Sequence, residues 1–81
     1  MNSEKILIIG ASGQIGSELA LRLRELHGNE TVIASDIKEG SEELMTSGPF
    51  EIMDATNAEG IASLIEKHSI TDVYLMAAML S

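Results

Sequence analysis

The chain has 81 residues, a formal net charge of −8 from 13 acidic against 5 basic side chains, no cysteine, and 44% apolar residues, with Phe50 and Tyr74 as the only aromatics. That length allows one small domain or part of a larger one, with a core built from Ile, Leu, Val, Met and Ala. The acidic balance excludes nucleic-acid and anionic-membrane binding, which need Lys and Arg to neutralise phosphate, and the lack of cysteine excludes disulfides and thiolate metal sites.

No basic N-terminal segment precedes an apolar run, and nothing approaches the roughly eighteen consecutive apolar residues of a membrane helix. The reading is a soluble, cytoplasmic protein. "KILIIG" (Lys5–Gly10) is a continuous apolar run closed by glycine, the pattern of a strand buried on both faces. From Gln14 to His27, Ile15, Leu19, Leu23 and Leu26 recur at helical spacing. Glu18, Arg22 and Glu25 take the other side, with Glu18 and Arg22 as an i,i+4 pair, and Gly28 is a natural stop. "TVIAS" (Thr31–Ser35) is a second strand ending at Asp36.

Between Gly40 and Gly48 the pattern is weak; "SEELM" allows a short helix before the break at Gly48-Pro49. "FEIM" (Phe50–Met53) reads as a short third strand meeting Asp54. Thr56 and Glu59 have capping-box spacing, and Ile61, Leu64 and Ile65 make one apolar face of a helix running to about His68. "DVYLMAA" (Asp72–Ala78) is a fourth strand. Strands alternating with helices imply parallel pairing, here half of a doubly wound α/β fold with strand order 3-2-1-4. Its fourth strand, central in such a sheet, has nothing after it to cover it. Residues 1–81 are therefore expected to be the N-terminal part of a dinucleotide-binding domain, incomplete and without a separate substrate domain, and to self-associate through the unfinished edge.

"GASGQIG" (Gly10–Gly16) joins the first strand to the first helix. In such a loop Gly10 permits a tight turn, Gly13 lets a pyrophosphate approach the backbone, and Gly16 lets helix and strand pack closely. The helix N-terminus supplies N–H donors for an anion. A structural turn is the alternative. Asp36 lies twenty residues beyond Gly16, where an acid accepts hydrogen bonds from an adenosine ribose and repels a 2′-phosphate, favouring NAD over NADP. A solvated strand-end aspartate is the plain alternative, and Lys38 close by works against the preference. Asp54 ends the third strand at the same edge, as a group offered to the ligand crevice there or as a turn cap. Tyr74 lies inside a strand with Ala78 four residues on, so it is no Tyr-x-x-x-Lys catalytic tyrosine. His27 and His68 fall at helix C-termini, where a cation suits the dipole. Neither has a metal or triad partner in the sequence. No catalytic or metal-binding residue is assigned, and the methionines read as aliphatic filler.

The stretches "ILIIGASGQIGSEL", "VIASDI", "PFEIMDATN" and "ITDVYLMAAMLS" together resemble the N-terminal part of the extended short-chain dehydrogenase/reductase superfamily. That group includes the NAD-dependent epimerases and dehydratases, and the likeness is greatest to its epimerase-like L-threonine 3-dehydrogenases. The resemblance implies a partial Rossmann fold and NAD as cofactor. It implies that Gly10, Gly13, Gln14, Ile15 and Gly16 line the pyrophosphate site, with Asp36 on the ribose and Ile37 beside the adenine. Asp54 and Ala55 would meet the adenine edge, and Ala77 and Ala78 the cofactor's ribose side. One departure is Leu75, where the family often has His. Family members run on for a few hundred residues carrying the catalytic and substrate residues, so the resemblance implies that L-threonine is a partner only of a full-length parent and that this piece is inactive alone. A nucleotide-sugar epimerase or dehydratase fragment, or a non-enzymatic nucleotide-binding module, are the alternatives.

Overall fold

In a computed structural model, which describes residues 4–76, the run Ile6–Ile9 is strand β1, buried along its whole length. It is followed by α1 (Gln14–His27), a short 3-10 turn over Asn29–Thr31, β2 (Val32–Asp36) and α2 (Glu42–Ser47). The rest is β3 (Phe50–Ile52), α3 (Ala58–His68) and β4 (Asp72–Leu75). All pairings are parallel and the sheet order is β3-β2-β1-β4, the predicted 3-2-1-4. Ile6 faces both Val32 and Asp72 across the ladder, and Ala34 faces Phe50. No helix of the described residues is long and apolar enough to cross a membrane.

Alternation along the central strands divides the core in two. Ile6, Ile8, Val32 and Ala34 face one way and meet Ala20 of α1 and Leu44 of α2; Leu19, Leu23, Phe50 and Met76 pack around them. Leu7, Ile9 and Ile33 face the other way onto Leu64 of α3, with Ile61 and Ile65 alongside. The predicted apolar face of α3 is the one it buries. Its start differs. Asn57, not Thr56, caps the helix by accepting from the Gly60 N–H at 2.9 Å. Thr56 is engaged instead by the Asp54 carboxylate, so no Thr56–Glu59 capping box forms.

Helix α1 keeps its predicted bounds but turns a different stripe inward. Gly16, Ala20 and Arg24 are its buried residues, while Ile15 and Leu26 are 57% and 62% exposed. Small residues on this line let the helix lie close to the sheet, and the flanking Leu19 and Leu23 cover its sides. The expected Glu18–Arg22 pair is not the one formed: Arg22 reaches Glu25 at 2.8 Å, both ends exposed, a contact worth little in water. Among the described residues β4 runs from Asp72 to Leu75, and the predicted extension through Ala77 and Ala78 lies outside them. At the ends of the helices, His68 Nε2 sits 2.9 Å and Lys67 Nζ 3.0 Å from Glu51 Oε2, which ties the end of α3 to β3.

Arg24 is the least expected member of the core, only 2% exposed. Its guanidinium donates to the carbonyls of Val32 (3.2 Å), Leu44 (2.8 Å) and Pro49 (2.6 Å), and to Ser47 Oγ (2.9 Å). One side chain thus fastens α1 to β2, to α2 and to the turn into β3. Burial lowers its pKa from the ordinary arginine value, yet arginine stays charged at any physiological pH. Each of these acceptors is neutral, and among the described residues no buried side-chain nitrogen or oxygen lacks a partner. The fork geometry of five donors makes this arrangement available to Arg and not to Lys. Replacing Arg24 with Ala removes this donor from the Val32, Leu44 and Pro49 carbonyls and should cost about 3 kcal/mol. Arg24→Lys should recover only part of that loss, and urea unfolding followed by circular dichroism measures both.

Candidate functional site

In a parallel sheet the carboxyl ends of all strands open on one edge, and here the β1–α1 loop crosses it. Gly10 takes φ 91°, a conformation that favours glycine. The turn brings the N–H groups of Gly10 and Ala11 onto one acceptor, the Ser35 carbonyl of β2, both at 2.9 Å. The next donor, the Ser12 N–H, reaches Asp36 Oδ2 at 2.9 Å. Three consecutive amides of the glycine loop are thereby bound to the end of β2. Beneath them the buried Ser35 hydroxyl donates to the Ile8 carbonyl at 3.0 Å.

Gly13 is the N-cap of α1, without a side-chain cap and with no acid in the first turn after it. The N–H groups of the first turn have no intrahelical acceptor, and no carboxylate of that turn competes for them. Gly16 sits against the loop itself: a Cβ at this position would run into the Gly10 carbonyl oxygen and crowd Ala11. The predicted close approach is therefore present, and it is made between helix and loop backbone.

Asp36 is partly buried at the tip of β2. Burial pushes its carboxyl up, but the hydrogen bonds from Ser12 and from the Ile37 N–H (2.6 Å to Oδ1), together with the positive Lys38, outweigh it. The net effect holds the carboxyl below the usual aspartate range. Asp54 is also held ionised, by the Thr56 N–H and hydroxyl, each 2.8 Å from Oδ1. Its carboxylate is thus a turn cap, and it organises the entry to α3. A hydrogen bond from the Met53 N–H to the Asp36 carbonyl at 2.8 Å brings the β3 end alongside β2.

Between these ends lies a small cavity of about 150 Å³. Five of the predicted residues, Gly10, Asp36, Ile37, Asp54 and Ala55, line it together with Ile9 and Met53. Gly13, Gln14, Ile15 and Gly16, at the start of α1, are not among its lining residues, and Ala77 and Ala78 lie outside the described residues. A larger cavity, about 590 Å³, opens among Lys5, Glu30, Pro49 and His68. These residues precede strands or end a helix, so it lies at the opposite, amino-terminal edge. Its polar groups do not converge: Lys5 Nζ turns to the Glu30 carbonyl and His68 to Glu51. We place the candidate site at the smaller cavity, where loop, helix start and carboxylate meet. Among the described residues no group of three or more His, Cys, Asp or Glu could hold a metal ion.

Two neighbours of the site escape sequence reasoning. The hydrogen bond from Ser12 is made by its main-chain N–H, which every residue type but proline carries, so that contact leaves no signal in the sequence. Met53 reads as core filler, and it does pack on the α3 side of the sheet. The alternation in "FEIM", which sets Met53 on the face opposite Ile52, is the available clue.

The sequence pattern of the NAD dependent epimerase/dehydratase family matches residues 6–81. An uncharacterized epimerase/dehydratase of Staphylococcus haemolyticus is 46% identical over 79 residues, covering 96% of this chain and 25% of the relative. Among solved structures, a partial consensus L-threonine 3-dehydrogenase superposes with a TM-score of 0.82 at 53% identity, over 89% of this chain and 23% of that one. The holo form of a GalE-like L-threonine dehydrogenase from Cupriavidus necator gives 0.81 at 46% identity, over 89% and 23%. The chain thus spans about a quarter of the length of the curated relatives it matches.

Because the folded state holds Asp36 more acidic than an ordinary aspartate, ionised Asp36 adds stability above the unfolded-state pKa. That contribution disappears as pH falls through the lower folded-state value. Thermal unfolding between about pH 5 and pH 3 should show Asp36→Asn losing less stability than the unsubstituted chain, since a neutral amide does not titrate.

Proposed function

This chain belongs to the NAD dependent epimerase/dehydratase family, and on that premise we propose that it is the N-terminal, NAD-binding part of an oxidoreductase, specifically one that acts on L-threonine. The observation that carries the cofactor reading is the bonding of the glycine loop to the tip of β2, with Asp36 and the cavity at the junction. The first-turn N–H groups of Gln14, Ile15 and Gly16 suit a pyrophosphate, and Gly13 lets it come close to the backbone. Asp36 accepts hydrogen bonds from the two adenosine ribose hydroxyls and repels a phosphate placed there. Ile37, 63% exposed, offers an apolar surface to the adenine, with Asp54 and Ala55 at its edge. Ala77 and Ala78 are assigned to the cofactor's ribose side by the resemblance.

NAD held by the glycine loop, the start of α1 and Asp36 would supply the hydride acceptor for oxidising the 3-hydroxyl of L-threonine to a ketone in the parent. The threonine assignment is supported by the two L-threonine dehydrogenase structures. In this proposal the described residues bind and orient the cofactor, and a longer parent supplies the acid–base and substrate groups. General acid–base help is worth roughly 10²–10⁴ in rate, so the 81-residue chain is inactive alone. The name of the staphylococcal relative favours a second reading, in which the parent is an epimerase or dehydratase; nucleotide sugars as its substrates come from the resemblance alone.

Calorimetric titration should show the chain binding NAD more tightly than NADP, and Asp36→Ala should weaken NAD binding about tenfold while relaxing that preference. Binding of neither dinucleotide would reject the cofactor reading. A parent active on nucleotide sugars and not on L-threonine would reject the substrate assignment.

The proposal extends to self-association. Strand β4 forms one edge of the sheet, and Val73, Tyr74 and Leu75 are exposed there. Unpaired edge N–H and C=O groups beside apolar side chains invite pairing with a second copy. Sedimentation should show concentration-dependent association that Tyr74→Lys reduces; a monomer at all concentrations would reject it.

A further inference from the structure

Both oxygens of the Asp36 carboxylate already accept a main-chain hydrogen bond, and the two donors come from different segments. Ile37, next in sequence, holds Oδ1 at 2.6 Å, a local contact available to any strand-end aspartate. Ser12, from the glycine loop, holds Oδ2 at 2.9 Å across 24 residues. Together they fix the plane of the carboxylate while leaving each oxygen further lone-pair directions, as many as a vicinal diol requires. The Ser12 hydroxyl is also among the groups that hold this carboxyl below the usual aspartate range. Without the loop contact, Asp36 would keep only its local bond and could turn toward solvent. Lys38, the nearby cation, would then act on a ribose 2′-phosphate without an opposing fixed negative charge.

We propose that Ser12 is a positioning residue for cofactor selection. Its N–H, assisted by its side chain, orients the Asp36 carboxylate toward the ribose diol, so the glycine loop helps to set the discrimination between NAD and NADP. The proposal rests on the reading of Asp36 as the ribose ligand. It makes the phosphate cradle and the ribose reader one mechanical unit, because the residue before Gly13 belongs to both.

The test compares Ser12→Pro, which removes the N–H, with Ser12→Ala, which removes only the hydroxyl, by titrating each with NAD and NADP. A hydrogen bond to a charged group predicts about a tenfold fall in the NAD/NADP affinity ratio for Ser12→Pro and a smaller fall for Ser12→Ala. In an Asp36→Ala background neither substitution should change the ratio, because there is no carboxylate left to orient. An unchanged ratio in Ser12→Pro, or an equal change with and without Asp36, overturns the proposal. If Ser12→Pro does not fold by circular dichroism, the decision passes to Ser12→Ala and to NMR of the unsubstituted chain. There the Ser12 amide proton should titrate with the same midpoint as the Asp36 carboxyl, and that midpoint should rise in Ser12→Ala. Absence of either effect overturns it. Binding of neither dinucleotide to the unsubstituted chain fails the cofactor reading instead. In that event an amide that still titrates with Asp36 marks Ser12 as a structural clamp and removes its selective role.

Discussion

The arrangement depends on the parallel pairing of β1 with β2 and on its continuation past the end of the strands. The ladder from Ile6–Val32 to Ile9–Ser35 is ordinary. Beyond it the chain turns at Gly10 and still delivers its next N–H groups to β2. Gly10 and Ala11 share the Ser35 carbonyl, and Ser12 takes the Asp36 carboxylate. A loop held by its own amides stays near the sheet edge without side chains to anchor it. Small residues can therefore fill it, and the start of α1 is carried to a fixed place.

A second constraint acts from the opposite side of the fold. With almost no aromatic surface, this core rests on aliphatic packing. Arg24 supplements it by joining α1, β2, α2 and the turn before β3 through four hydrogen bonds. Of the carbonyls it reaches, Val32 and Leu44 lie at the start of β2 and inside α2, and Pro49 also accepts from the Ala34 N–H at 3.1 Å. An apolar residue at the same position would fill the space and remove all four bonds, leaving Pro49 only its Ala34 donor.

The candidate site is legible where one local pattern implies another. A glycine-spaced loop between an apolar run and a helical period places the loop at a strand end, and Asp36 at the end of the next strand must then lie beside it. Gly10, Asp36 and Asp54, named on that basis, line one cavity together with Ile37 and Ala55, which the resemblance supplied. The inward stripe of α1 differs from its apolar periodicity for a physical reason. Periodicity marks the largest apolar residues, whereas close helix–sheet packing selects the smallest, and Gly16 and Ala20 carry little weight in a hydrophobic pattern. Asp54 shows the converse: its position matches the expectation, but its carboxylate is engaged with Thr56, a local turn bond that moves the helix cap to Asn57.

By itself, the amino-acid order determined the alternation of strands and helices, the parallel sheet, its strand order and the edge on which the glycine loop opens. These follow from local periodicity and from the few ways parallel strands can be connected. Only the tertiary structure decided which groups are joined across that edge. Neither the reach of the Ser12 amide to Asp36 nor the burial of a charged Arg24 among carbonyls has a side-chain signature. Both arise from backbone groups made neighbours by folding, and every residue carries those groups in nearly the same form.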